Sequence, residues 1–266
     1  MTDTQCHTVD GLAVHLDGKA DAPIVFMAHS ILSSSEMWDR QAALLVSHGW
    51  RVVRMDIRGH GGSREAGAAN SMDELVDDTV KVLDALALER VHYVGLSLGA
   101  MSGFGLALEH PERVASALLC DARADAPREY AALWDERIAL VARSGTAALA
   151  RPTFERWFGK SFLDAHQDVL ERFDAMAAQA SSEGFIGCAR AIQKLDYLAQ
   201  VADIAVPTTL LVGANDEPLH VAMRDLQRRI GGATLDVIPN AGHLPNIDQP
   251  EAFDAALLRH LERSAA

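Results

Sequence analysis

Five residues, Gly95-Leu96-Ser97-Leu98-Gly99, constrain this chain more than any others. A β-branched and aromatic run, Val91-His92-Tyr93-Val94, precedes them. An Ala-, Leu- and Gly-rich stretch, Ala100 to His110, follows and reads as a helix. Strand, G-x-S-x-G, helix is the pattern of a nucleophile elbow, in which a sharp turn lifts a serine hydroxyl above a sheet. Glycine on both flanks removes Cβ atoms that would meet the neighbouring strand and helix. The N–H of Leu98, at the start of the helix, is then aimed at a developing oxyanion. Taken alone, the pentapeptide also fits a structural serine in a Gly-rich turn.

A hydroxyl nucleophile needs a base, and the base needs an orienting acid. Asn240-Ala241-Gly242-His243 follows the apolar run Leu235 to Ile238, so His243 sits in a turn just past a strand. Between Ser97 and His243, Thr209-Leu210-Leu211-Val212-Gly213-Ala214-Asn215-Asp216 is a buried-strand pattern ending in a carboxylate. Three candidate residues, each just after a strand and in the order Ser, Asp, His, point to acyl-transfer chemistry far more strongly than any one of them. Asp121, at the end of another strand, is a rival acid. Glu217, beside Asp216, reads as a solvated loop carboxylate.

Strands alternate with helices along most of the chain. Thr8 to Leu16 suggests an edge strand or hairpin; Ile24 to Ala28, Arg51 to Asp56 and Val114 to Cys120 read as buried strands. Met37 to His48 has helical spacing, and Met72 to Leu86 is an amphipathic helix with Ser71 and Glu74 placed for a capping box. From Ala122 to about Val201 the alternation fails. Only helical stretches appear there: Glu129 to Arg143, Ala148 to Phe158, Asp164 to Ala180 and Phe185 to Leu195. Strand character returns at Val206, and a last helix is expected from about Pro250 to Arg263. The expected architecture is an α/β fold: a mostly parallel central sheet with helices on both faces, formed by residues 1–121 and 202–266, with a helical cap inserted at 122–201.

A chain of 266 residues with 49% hydrophobic content can build one large domain with an insertion. The formal net charge of −13 disfavours nucleic-acid and anionic-membrane partners, while a local arginine can still hold a small anion. Cys6, Cys120 and Cys188 are widely spaced and show no metal-ligand pattern, which fits a reducing cytoplasm. Met1 to Leu16 lacks a basic n-region and an apolar h-region, so no signal peptide is expected.

These motifs together resemble the α/β-hydrolase-fold serine hydrolases from end to end. The likeness rests on the strand ending in His29-Ser30, on Asp56-Ile57-Arg58-Gly59-His60-Gly61-Gly62-Ser63, on the elbow, on Gly213-Ala214-Asn215-Asp216 and on Ala241-Gly242-His243. Within that group the chain is most similar to 3-oxoadipate enol-lactonases, through Ser30 to Asp39, Arg156-Trp157-Phe158 and Glu183 to Cys188. Two positions depart from the pattern. Ser30 replaces the superfamily's usual glycine, although enol-lactonases also tend to carry serine there; Asp121-Ala122-Arg123 stands where they have Asn-Thr.

The resemblance implies that Ser97 is the nucleophile, His243 the base and Asp216 the orienting acid, with backbone N–H groups of Ile31 and Leu98 forming the oxyanion hole. His29 and His60 take structural roles. Trp38, Trp134, Trp157 and Phe158 are candidate pocket walls, each equally suited to core packing. Arg123 is the first candidate among the inserted arginines to hold a substrate carboxylate. No metal or organic cofactor is needed. The expected activity is hydrolysis of a small carboxylic ester or lactone, with 3-oxoadipate enol-lactone the best specific substrate. Alternatives are a carbon–carbon bond hydrolase of ring-fission products and a small-molecule receptor with a vestigial site.

Overall fold

The computed structural model describes residues 4–64 and 66–265. An Asp10-Gly11 turn joins β1 (Gln5–Val9) to the antiparallel β2 (Leu12–Asp17). Both turn residues have positive φ, +49° and +83°, as a two-residue turn matched to strand twist requires. After β3 (Ile24–Ala28) come α1 (Asp39–Ser47), β4 (Arg51–Met55), α2 (Met72–Ala85), β5 (Val91–Leu96), α3 (Leu98–Glu109) and β6 (Val114–Cys120). Five helices then intervene: α4 (Arg128–Ser144), α5 (Ala147–Phe158), α6 (Lys160–Ala165), α7 (Gln167–Gln179) and α8 (Ser182–Gln193). The chain closes with β7 (Thr208–Gly213), α9 (Glu217–Arg229), β8 (Thr234–Ile238), α10 (Pro245–Asp248) and α11 (Pro250–Ala265).

The eight strands form one sheet in the order β1-β2-β4-β3-β5-β6-β7-β8, parallel from β4 to β8. Strand parity shows that helices cover both faces. His260 of α11 bonds Ser116 of β6, whereas Gly103 of α3 lies against Leu119, three residues on and therefore on the other side. Both faces being buried explains why β3, β5 and β6 read as continuous apolar runs instead of alternating ones.

The five-helix insertion is tied down by main-chain contact. A Cβ on Gly184 would lie 2.2 Å from the Cα of Gly59, and one on Gly187 would lie 2.3 Å from the Ala69 carbonyl oxygen. Glycine at these two positions, one turn apart on α8, lets that helix sit on the loop after β4. The Ser181 N–H donates to the Gly59 carbonyl at 2.8 Å.

Local details depart from the sequence reading in three places. Ser35–Trp38 is a short 3₁₀ turn capped by the Ser34 hydroxyl, and α1 begins only at Asp39. The stretch expected as one helix from Asp164 breaks at His166 (φ −129°, ψ 68°), whose ring bonds the Phe162 carbonyl. Helix α9 falls where strand–helix alternation is expected to resume but is given no bounds by the sequence reading; Pro218 in its first turn and the buried Leu219, Met223 and Leu226 at helical spacing mark it. Among the described residues no helix is long and apolar enough to cross a membrane.

Helix α2 carries the complete capping box, with Ser71 Oγ accepting the Glu74 N–H at 3.2 Å and Glu74 accepting the Ser71 N–H at 3.1 Å. Replacing Ser71 with Ala is expected to cost about 1 kcal/mol of stability. Urea denaturation checks this, with an unchanged m-value expected.

Candidate active site

The chain runs from β3 to β4 on one side and returns to β5 on the other. Such a switch opens a crevice beyond the carboxyl ends of the strands. Ser97 stands there, at the end of β5, with φ +56° and ψ −113°. This conformation is strained for a residue with a Cβ and is held by its surroundings. A Cβ on Gly95 would lie 2.4 Å from the Gly99 carbonyl oxygen, and one on Gly99 would lie 2.3 Å from that of Ala28. The Ser97 N–H is anchored on the Cys120 carbonyl at 2.9 Å.

Two further strand-end loops converge on this serine. Asp216 follows β7 as the residue before α9, and the Asn215 N–H beside it donates to the Ala241 carbonyl at 2.8 Å. His243 follows β8. Its Nδ1 lies 2.6 Å from Asp216 Oδ2, and its Nε2 lies 3.0 Å from Ser97 Oγ. With Nδ1–H donated to the carboxylate, Nε2 is left to accept the serine proton. Ser97 and His243 are each 6% exposed, so the relay is shielded yet reachable.

The insertion takes part in placing His243. The Trp157 carbonyl at the end of α5 accepts the His243 N–H at 2.9 Å, and the Trp157 ring lies 5.6 Å from the imidazole. Gly242 is required there, since a Cβ would come within 2.0 Å of that same carbonyl oxygen.

Ile31 lies in the loop after β3 and borders the cleft. Among the described residues no protein acceptor takes its N–H. Leu98 is the first residue of α3, where an N–H has no intrahelical acceptor. His29 braces this loop: its Nδ1–H donates to the Ser30 carbonyl at 2.7 Å, and its Nε2 accepts the Ile57 N–H at 2.8 Å. Both ring nitrogens are thus engaged, and burial lowers the His29 pKa. His60, also fully buried, is pushed down to about 3 by burial and by its neighbour His29.

The relay opens into a cleft of about 180 Å³. Trp134 and Trp157 face it, but Trp38 does not. Trp38 is fully buried beneath α11, with its ring 5.8 Å from that of Phe253. The 3₁₀ turn before α1 directs it into the core, which removes it from the pocket walls expected from sequence. Arg123 borders the cleft, yet its guanidinium already pairs with Asp125 Oδ1 at 2.8 Å and covers the Tyr130 ring. Arg137 and Arg156 also reach the cleft, and neither forms an ion pair or side-chain hydrogen bond among the described residues. Arg137 rests over the Trp134 ring at 4.5 Å. Burial lowers both arginine pKa values, and the charge of Arg156 lowers that of Arg137 further. Tyr130 is not singled out by the sequence reading, and Arg137 is there only one unranked member of the set of inserted arginines. Their signal is spacing: they lie four residues before and three after Trp134 on α4, on the same helix face.

Asp121, the rival acid, is fully buried and accepts the Gly213 N–H at 2.9 Å. Asp121, Asp216 and His243 place one oxygen or nitrogen each within 4.8 Å of the others. The 2.6 Å hydrogen bond between Asp216 and His243 already occupies the space that a metal ion bridging them would need.

The α/β-hydrolase-fold family profile matches residues 23–250. The chain belongs to the α/β-hydrolase fold family. It is 30% identical to "3-oxoadipate enol-lactonase 2" of Acinetobacter baylyi, over 92% of this chain and 91% of that protein. It is 32% identical to a protein named as a carbamate hydrolase, RutD, of a Caulobacter species, over 98% and 100% of the two chains. The crystal structure of the enol-lactonase from Burkholderia xenovorans superposes with a TM-score of 0.89 at 28% identity, covering 97% of this chain and 100% of the other.

One further carboxyl of this hydrolase steadies the histidine loop. Asp248 Oδ2 accepts the Gly242 N–H at 2.6 Å, while its buried Oδ1 has no partner among the described residues. Burial pushes its pKa up to about 7, against the pull of Gly242 and nearby N–H groups. The folded state therefore retains a proton that the unfolded chain releases near pH 4. On this account stability falls as pH rises from about 4 to about 7. Asp248→Asn is expected to remove that slope, raising Tm at pH 8 by at least about 2 °C and leaving it nearly unchanged at pH 4. Calorimetry at the two pH values measures it.

Proposed function

We propose that this protein is a serine hydrolase that cleaves a small carboxylic ester or lactone through an acyl-enzyme, and that its substrate carries a free carboxylate. The observation that carries the reading is the hydrogen-bonded chain Ser97–His243–Asp216, opening into a cleft beside two available N–H groups. Ser97 Oγ attacks the carbonyl carbon while His243 Nε2 takes its proton. The resulting oxyanion is met by the N–H groups of Ile31 and Leu98. Collapse breaks the acyl–oxygen bond, and His243 returns the proton to the leaving oxygen. Water, deprotonated by the same histidine, then releases the acid and regenerates Ser97. Asp216 holds the tautomer and stabilises the imidazolium.

Two unpaired guanidinium groups support the carboxylate. Arg156 and Arg137 lie close enough for one to depress the other, and a substrate anion would relieve both. Arg123 is committed to Asp125, so Arg156 takes its place as the first candidate. The enol-lactonase relatives fit this class, and 3-oxoadipate enol-lactone is the first substrate to assay. In this reading the insertion, roughly 122–201, is a cap that sets substrate choice.

Ser97→Ala is expected to lower kcat by roughly 10⁴–10⁶-fold, and a phosphonate probe should label the parent and spare the variant. Full turnover in Ser97→Ala would exclude the mechanism. Arg156→Ala is expected to cost about 2–4 kcal/mol in kcat/KM for a carboxylate-bearing ester and little for its neutral methyl-ester counterpart. Equal losses on both would make a general esterase the better description.

A further inference from the structure

The relay described above leaves one buried carboxyl unused. Asp121 closes β6 beneath it, with a side chain at 0% exposure. Its Oδ1 accepts the Gly213 N–H; its Oδ2 is buried and has no partner among the described residues. Asp216 gives one oxygen to His243, and no donor reaches its other oxygen among the described residues. One oxygen of Asp121 lies within 4.8 Å of one of Asp216, and with Asp121 fully buried, like charges this close disfavour ionisation of both. Of the two, only Asp216 is bonded to the imidazole and borders the cleft, whereas Asp121 is sealed from both, so a proton shared between them falls to Asp121.

We infer that Asp121 is a neutral acid whose Oδ2–H is directed at the second Asp216 oxygen, directly or across one water, making it a positioning residue for the relay. The inference rests on the serine-hydrolase reading above. A neutral donor fixes the carboxylate and spreads its charge without adding a second negative charge. Burial, followed by the Asp216 charge and then Asp248, raises the Asp121 pKa well above the ordinary carboxyl range, against the Gly213 N–H. The other charged or titratable groups facing this cluster are Arg156 from α5, Asp248 from α10 and Cys120, the neighbour on β6. None of them donates to either orphan oxygen among the described residues.

The test compares the acid limb of kcat/KM, which reports the His243 base, in parent, Asp121→Ala and Asp121→Asn, using an ester whose turnover requires Ser97. Alanine removes the donor, so more of the Asp216 charge acts on the imidazole. Its limb should rise by roughly half a pH unit, with kcat about tenfold lower and KM little changed. Asparagine keeps an acceptor for Gly213 and a donor for Asp216; it should hold the limb at the parent position and restore most of the turnover lost in Asp121→Ala. A limb lowered by about one pH unit in Asp121→Asn would mean that a negative charge had been removed, and would overturn the inference. An alanine variant with parental kcat and limb would overturn it too.

If Asp121→Ala does not fold, the infrared difference between parent and Asp121→Asn at pH 7 decides. A protonated carboxyl band, displaced to low frequency by a hydrogen bond, supports the inference. Absence of the band, or a band at the free-acid position, rejects it. Loss of Ser97 dependence would instead reject the hydrolase reading, and the infrared result would still answer for Asp121.

Discussion

The site depends on how closely the turn after β5 approaches β3. With a Cβ at Gly99 only 2.3 Å from the Ala28 carbonyl oxygen, no side chain fits between the start of α3 and the strand beneath it. That approach forces Ser97 into a left-handed conformation and brings the α3 N-terminus beside the loop after β3. Strain of this kind costs about 1–3 kcal/mol per residue. It recurs along the same rim, where Leu32, Asp121 and Asn240 also have positive φ. The buried centre of the sheet beneath, with Val94, Leu96 and Leu118 at 0% exposure, gives the turn at Ser97 no room to relax.

Much of this was legible in the sequence because it is local. A strand, its turn and the residue just past it are contiguous, so Ser97, Asp216 and His243 could each be placed at a strand end. The sheet then brings those ends to one rim whatever the intervening lengths. The capping box of α2 was readable for the same reason.

What escaped the reading depends on which way a side chain turns or on what it meets from far along the chain. Trp38 is polarised neither toward core nor toward cleft by its neighbours; a short 3₁₀ turn and Phe253, more than two hundred residues away, decide its direction. Arg123 and Arg156 look equivalent in a list of basic residues. They differ because Asp125 stands two positions from the first, whereas no carboxylate pairs with the second within ion-pair distance among the described residues. The Asp121 environment is likewise tertiary, made by β7 and the turn that follows it.

One contact between the insertion and the core is made by main chain alone, the Trp157 carbonyl that receives the His243 N–H. A main-chain acceptor is blind to side-chain identity. The walls that α4 and α5 present to the cleft can therefore be exchanged residue by residue, altering the shape and charge of the pocket, while the end of α5 goes on holding the histidine. The lining of the cleft and the placement of the histidine are thus carried by different atoms of the same helix, so a change of one side chain on α5 need not disturb the other.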